Sequence, residues 1–273
     1  MSTVQLVRDY WNKRPCNIRH STQPVGTQAY FDEVEKRKYF VEPHIPEFTE
    51  FHKWKGKKVL EIGCGMGTDS INFARAGADL TVIDLSSESL NLCKRRFEVY
   101  GLNARFYCGN SEKLSSFVPV EKYDLVYSFG VIHHTPYPER VISEIHKYMG
   151  PSSIFKIMVY HRTSWKAFWI LMKYGKGKFW KIDKLVADYS EAQTGCPVTY
   201  TYTKKSVKDL LKGFKIEEMN IEHIFPYKIS DYVQYKYKKV WYFRYLPGLV
   251  FRWFETKFGW HLCVTSRAEK IYE

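Results

Sequence analysis

With 273 residues, 45% of them hydrophobic and 26% charged, the chain is long enough for one sizeable core and too apolar for a disordered protein. Its 42 Lys and Arg against 29 Asp and Glu leave a formal charge of +13, which favours anionic surroundings such as nucleic acid, anionic lipid or an acidic substrate and says nothing of fold. The six cysteines are scattered without a CxxC pair, and the nine histidines include one adjacent pair, His133 and His134; reduced thiols are expected, and neither a disulfide framework nor a metal site.

In chain order, the N-terminal "MSTVQLVRDYWNKRP" has no apolar stretch of the kind a secretion signal carries, and no run of 18 apolar residues occurs anywhere. A cytoplasmic protein without a spanning segment is therefore expected. From Lys58 onward short apolar runs alternate with helical patterns. "KVLEI" reads as a buried strand, and the residues after Gly67 as a helix with Ile71 and Ala74 on one face. "DLTVID" is a second strand, followed by a helix capped at Ser86 or Ser87 and ended by Gly101. "ARFYCG" and "YDLVYSF" are the third and fourth strands, with a helix over about 139–148 before a fifth, "SIFKIMVY". Beyond it come a very apolar helix, "SWKAFWILMKYG", and a helix in "TKKSVKDLLKG" with Ser206 as its cap. The strands "FKIEEMNIEHIF" and "WHLCVTSR" close the pattern. Such alternation predicts an α/β fold: a seven-stranded, mostly parallel, doubly wound sheet with helices on both faces. No internal repeat or low-complexity linker interrupts it. One domain over 1–273 is expected, with an N-terminal arm at 1–52, a cofactor-binding core at 54–161 and a substrate-side elaboration at 162–258.

The first strand runs into "VLEIGCGMGTD", a GxGxG turn. In open parallel sheets ligands sit at the carboxyl ends of the strands, and a glycine turn there lets the backbone approach closely. A phosphate site would not welcome Glu61, two residues before the first glycine; a cationic ligand would. Asp84 closes the next strand, placed to accept both hydroxyls of a ribose, and Asn110 follows the third with donor and acceptor for an adenine edge. A ligand with adenine, ribose and positive charge but no phosphate is S-adenosylmethionine. The stretches "VLEIGCGMGTD", "VIDLS", "CGNSEKL" and "YDLVYSFGVIHHTPYPERVI" together resemble the class I S-adenosylmethionine-dependent methyltransferases. That resemblance covers about residues 58–160, and the last two strands fit the antiparallel end of that family's sheet. It implies that the backbone at Gly63, Cys64 and Gly65 passes under the methionine part, with Glu61 near its ammonium. It places Asp84 at the ribose, Leu85 on the adenine face, Asn110 and Ser111 at the adenine edge, and Ser128 or Phe129 near the sulfonium. Asn110 departs from the Asp frequent in the family.

Methyl transfer from a sulfonium needs alignment and exclusion of water, and a hydroxyl acceptor a base as well. Candidate bases are His133 and His134, after the fourth strand, and His161, just past the fifth; the alternative is that they pack or cap turns. The neighbouring Arg162 depresses the basicity of His161. The arm "YWNKRPCNIRHS" is polar and aromatic, and is expected to fold over the cofactor as a lid with Tyr10, Trp11 and Arg19 facing the site. Arg37 pairs either with the cofactor carboxylate or with solvent on a helix face.

Residues 232–260 hold twelve aromatics, six basic residues and one acid, Glu255. The aromatic-basic insertion 228–258 has three readings. Val250, Phe254 and Phe258 on one helical face make a core cap. Rings at headgroup depth with Lys and Arg toward anionic lipid make a peripheral membrane surface. Rings stacking on bases make a nucleic-acid surface, disfavoured because the aromatics are contiguous. The acceptor expected is the O or N of a small molecule; the alternatives are a membrane lipid or quinone-like acceptor, or a nucleic-acid-binding or RNA-modifying protein using the same scaffold.

Overall fold

The computed structural model describes residues 1–190 and 194–269. Among them lies a seven-stranded sheet of β1 (Lys58–Ile62), β2 (Asp79–Asp84), β3 (Arg105–Cys108), β4 (Tyr123–Phe129), β5 (Met149–Tyr160), β6 (Phe214–Glu222) and β7 (His261–Ala268). Its order is β3-β2-β1-β4-β5-β7-β6, and β7 runs antiparallel to both its neighbours. This is the doubly wound class I methyltransferase fold read from the sequence. Because β7 is reversed, its first residue, His261, stands at the same edge as the carboxyl ends of the other strands. Tyr160 and Glu222 flank it in register.

The strands are apolar runs because both faces of the sheet are covered. Side chains alternate between two cores. Leu60, Ile62, Val126 and Phe155 face Val141, Ile142 and Ile145 of the helix Pro138–Lys147, together with Val207 and Leu211. Val59, Val82, Leu125 and Tyr127 face Ile71 and Phe73 of the helix Thr68–Arg75 and Leu90 and Phe97 of the helix Ser87–Tyr100. Burial of this kind is worth roughly 25 cal/mol per Å² of apolar surface.

Local signals held where a side chain caps a helix. Ser86 accepts from the Ser89 N–H at 3.1 Å, and Gly101 ends that helix in the left-handed region at φ +63°. One reading needs correction: Thr203 caps the helix Lys204–Leu210, and Ser206 is its reciprocal partner three residues on, closing a capping box. The core-cap reading of the aromatic-basic segment also holds only in part. Phe254 of the helix Gly248–Phe258 packs its ring 5.6 Å from Trp165 and 6.3 Å from Phe243. Val250 and Phe258 are exposed, as are Leu249 (89%), Trp253 (59%) and, one helix earlier, Trp241 (73%). Among the described residues no helix is long and apolar enough to cross a membrane.

The arm is folded, not free. Ser2 caps the helix Thr3–Lys13. Asn12 Oδ1 accepts from Ser86 Oγ at 2.8 Å and holds that helix against the start of Ser87–Tyr100. The helix Gln28–Val41 packs Tyr30, Phe31 and Val34 on Met66 of the glycine turn. Both cross the carboxyl edge of the sheet and roof a cavity of about 1030 Å³.

Candidate functional site

The cavity begins at the turn after β1. Gly63, Gly65 and Gly67 have φ of +79°, +54° and +75°, a region glycine enters without the Cβ penalty. Their surroundings differ. A Cβ on Gly63 would meet Val131 Cγ2 at 2.3 Å and one on Gly67 would meet Cys93 Sγ at 2.5 Å, whereas one on Gly65 would meet nothing within 4 Å. The outer two are glycines for packing; the middle one borders open space, as a backbone cradle for a ligand requires.

Asp84 fixes that cradle. One carboxylate oxygen accepts from Gly65 N–H and the other from Ser86 N–H, each at 2.8 Å. Burial raises its carboxyl to about 6 although these N–H groups pull it down. Glu61, at the end of β1, is buried and accepts from Ser70 Oγ at 2.5 Å. Burial and then the neighbouring Asp69 carboxylate push it up to about 8. Both line the cavity with Gly63, Cys64 and Leu85. Asn110 and Ser111 line it too, but Asn110 Oδ1 caps the short helix after β3 by accepting from Glu112 N–H at 3.0 Å. Its amide donors are what it has left for an adenine edge.

Other expected residues are placed differently. Phe129 lines the cavity, while Ser128 is buried outside it, its hydroxyl donating to Ile62 C=O at 3.2 Å. Trp11 and Arg19 line the cavity; Tyr10 does not, and its hydroxyl donates to Thr194 C=O at 3.3 Å. Arg37 borders the cavity, but its guanidinium is neither on a free helix face nor directed to a carboxylate. It donates to Tyr232 C=O at 2.5 Å and lies 4.0 Å and 4.1 Å over the rings of Tyr232 and Tyr235. The adjacent residue, Lys38, meets the acid side: its ammonium is 2.7 Å from buried Asp69, which also accepts from Tyr39 at 3.0 Å and Tyr127 at 2.9 Å. This ion pair ties the arm to the helix after the glycine turn, and no local pattern announced it.

Of the three candidate bases the cavity wall contains one, His134. Its Nδ1 lies 2.9 Å from Val198 C=O, its Nε2 has no hydrogen-bond partner among the described residues, and burial lowers it to about 4. His133 is fully buried behind it, its ring 3.8 Å from that of Tyr160. His161 is committed at both nitrogens, Nδ1 to Gly259 C=O at 3.1 Å and Nε2 to Thr163 Oγ1 at 2.7 Å. It stands outside the cavity.

The structure also assembles a group that the sequence reading set aside when it expected no metal. Glu42, His223 and His261 bring one ligand-capable atom each within 4.8 Å of one another, and all three line the cavity. Behind them His44 Nε2 lies 3.0 Å from His261 Nδ1. They come from the end of the arm helix, the residue after β6 and the first residue of β7. Their separation in sequence, 219 positions from Glu42 to His261, is why spacing could not show them.

Comparison with known proteins agrees with this geometry over the core. Residues 59–152 match the family model described as "Methyltransferase domain". A relative, the ubiquinone biosynthesis O-methyltransferase of Actinobacillus pleuropneumoniae serotype 5b (strain L20), is 31% identical over 114 residues, 40% of this chain and 47% of that protein. The chain thus spans less than half the length of this relative. Among solved structures, magnesium protoporphyrin IX methyltransferase from Synechocystis PCC 6803 with bound SAM superposes with a TM-score of 0.57 at 16% identity, covering 98% of each chain. The [4+2]-cyclase SpnF does so at 0.55 and 15% identity, covering 96% of this chain and 92% of its own. These structural likenesses establish the class I fold, and the cyclase is a reminder that the fold alone does not choose the chemistry.

Proposed function

Residues 59–152 form an S-adenosylmethionine-dependent methyltransferase domain, and from that premise we propose that the chain methylates an O or N atom of a small molecule held in the same cavity as the cofactor. The observation that carries this reading is the open cradle at Gly65, walled by Asp84 and continuous with about 1030 Å³ of cavity roofed by the arm. A volume at the upper end of the roughly 300–1,000 Å³ of ligand pockets suits two ligands better than one.

When bound, S-adenosylmethionine supplies a methyl group on an already activated sulfonium. In this reading Gly63, Cys64 and Gly65 carry the methionine portion on their backbone, Asp69 supplies negative charge beneath it, joined by Glu61 once its carboxyl ionises, and Asp84 accepts from the ribose. Leu85, Asn110 and Ser111 take the adenine, and Phe129 lines the sulfonium side. Trp11 and Arg19 on the arm keep water out, which strengthens every charge–charge term inside. His134, whose Nε2 has no hydrogen-bond partner among the described residues, is the base we assign for a hydroxyl acceptor. Burial keeps it neutral and therefore able to accept a proton, though a weak base.

A second reading concerns where the acceptor comes from. Trp169 is half exposed and also lines the cavity, as do Tyr242 and the exposed Phe258. Tyr242 shares its helix with exposed Trp241, and Phe258 shares its helix with exposed Leu249 and Trp253, an arrangement that suits a lipid-dissolved or quinone-like acceptor entering from an anionic membrane surface.

Calorimetry with S-adenosylhomocysteine tests the cofactor assignment. Saturating ligand should stabilise the protein by about 2.7 kcal/mol at a hundred times Kd, and Asp84→Ala should weaken binding by about 1–3 kcal/mol. Equal affinity in the variant, or no binding by the parent, overturns it.

A further inference from the structure

We propose that Glu42, His223 and His261 bind a divalent transition-metal ion at the acceptor end of the cavity. Two imidazoles and one carboxylate are a donor set that suits zinc and its first-row neighbours, and three protein ligands facing a cavity leave a position for water or substrate. His261 Nε2 lies 3.6 Å from Glu42 Oε1. Two ligand atoms each about 2.1 Å from a tetrahedral ion lie about 3.4 Å apart, so this pair is already at ligand spacing. The His223 ring stacks on that of His261 with centroids 4.6 Å apart. With the whole set inside 4.8 Å, small side-chain rotations bring the third donor to the ion.

Three further features are those of a built site. His44 Nε2 lies 3.0 Å from His261 Nδ1; with the proton on His261 Nδ1 this contact leaves His261 Nε2 as the lone-pair nitrogen beside Glu42, and a partner on the second ring nitrogen is what orients metal-ligating histidines. His223 is held at φ +71°, a left-handed conformation costly for a residue with a side chain and found where a site demands it. The chain leaves β6 at Glu222, opposite His261 in register, and this turn places His223 beside its cross-strand neighbour. Finally, Phe129, at the carboxyl end of β4, has its ring 5.5 Å from that of His261. The three ligands therefore stand next to the wall assigned to the sulfonium side.

What the ion does in methyl transfer rests on the proposed function; its binding does not. It would hold the oxygen of a hydroxyl-bearing acceptor and lower that hydroxyl's pKa, as a bound zinc lowers that of water from 15.7 to about 7. The acceptor's proton passes to His134, the base assigned above, the O–CH₃ bond forms as the S–CH₃ bond breaks, and the sulfur keeps that bond's electron pair. An acceptor with two adjacent oxygens, such as a catechol or a hydroxy acid, fits an ion with open positions best.

The test uses cobalt(II) as the probe on the full chain after chelator treatment. One equivalent should give the visible d–d absorption of a four- or five-coordinate site, and zinc should displace it. His223→Ala, His261→Ala and Glu42→Gln should each abolish that band, and His44→Ala should weaken binding by about 10–100-fold. Glu42→Gln, which conserves shape, guards against misfolding, and thermal unfolding of each metal-free variant identifies any that has lost its fold. A parent protein that leaves cobalt as the aquo ion overturns the proposal. So does a band that survives intact in folded variants, because the ion is then bound elsewhere. Calorimetry with S-adenosylhomocysteine on the metal-free protein reports separately on the cofactor site, so the two readings fail independently.

Discussion

The two ends of the cavity are built on opposite plans. At the glycine-turn end, Gly63, Gly65, Glu61, Asp69 and Asp84 come from two consecutive strand-to-helix connections and are fixed by short-range bonds, Asp84 to the N–H groups of Gly65 and Ser86, and Glu61 to Ser70. At the other end, Glu42, His223 and His261 come from three distant segments that meet only because β7 is inserted antiparallel between β5 and β6. The first end is a motif and the second a convergence. A motif can be read in a sequence because its geometry is local; a convergence is a property of topology and cannot.

The ion pair of Lys38 with Asp69 joins the two ends, and breaking it should have the largest effect. Asp69→Ala leaves an ammonium buried without its carboxylate and removes the acceptor for Tyr39 and Tyr127. A loss of about 3–5 kcal/mol is expected, read as the midpoint in urea. If the variant melts with the parent, the arm does not depend on this contact and the two ends are independent bodies.

Next in size is the glycine turn itself. Valine at position 63 must displace Val131 and sit at positive φ, so the turn should rearrange. A Cβ at 65 meets nothing within 4 Å among the described residues, so valine there incurs chiefly the backbone cost, about 1–3 kcal/mol, while its side chain occupies the cradle. Gly65→Val should therefore remain folded and lose S-adenosylhomocysteine binding. A folded Gly65→Val protein of parental affinity would remove the ligand from this end of the cavity.

These contrasts show what the sequence made legible. The strands of the sheet, the caps at Ser86 (of the two serines offered) and Gly101 and the position of the glycine turn follow from short-range periodicity and capping chemistry, the reversed last strand from the family resemblance, and all are observed. Trp11, Glu61, Asp84 and Phe129 all line one cavity. What could not be read depends on partners far along the chain. Arg37 is captured by Tyr232 and Tyr235, about 200 positions away, while Lys38 takes the acid. His161 spends both nitrogens on neighbours fixed by the fold. Asn110 looked free to read a base, but turn chemistry at Glu112 claims its oxygen first.

A smaller effect separates the ends by charge. The Glu61 carboxyl lies at about 8 in the fold, raised by burial and then by Asp69, against an ordinary value near 4.3. Between those values the folded chain holds a proton that the unfolded chain releases. Stability in the absence of ligand therefore falls as pH rises through that window, and the slope ends above about 8. Glu61→Gln should flatten the slope. Affinity for the cationic cofactor should run the other way, rising as Asp84 ionises near 6 and Glu61 near 8. Parallel melting and calorimetric titrations between pH 6.5 and 8.5 check both signs, since the buried histidines lowered to about 4, His20, His44 and His134, act below that range. Identical slopes for parent and Glu61→Gln would exclude this carboxyl from the site's electrostatics.

The smallest effect on the fold is expected at the exposed side chains of the outer surface, where the same contrast between local pattern and tertiary placement recurs. Phe254 is packed against Trp165 and Phe243, and Trp253 beside it is exposed. Phe254→Ala should cost up to about 3–5 kcal/mol, whereas Trp253→Ala should stay within about 0.5 kcal/mol of the parent. Lys236, Lys238 and Lys239 are exposed, so replacing all three by Gln should leave melting and cofactor binding unchanged. Their work, in the membrane reading, shows only against lipid. Each Lys near an anionic surface contributes about 1 kcal/mol, screened beyond a Debye length of about 8 Å at physiological salt. The parent should sediment with phosphatidylserine vesicles at low salt and release as salt rises. The triple variant should stay in solution, and Trp253→Ala should lose the part of binding that salt does not remove. Sedimentation that ignores lipid charge, or a triple variant that sediments with the parent, assigns the exposed rings to another partner. Salt-sensitive retention on single-stranded RNA in place of vesicles would name nucleic acid as that partner.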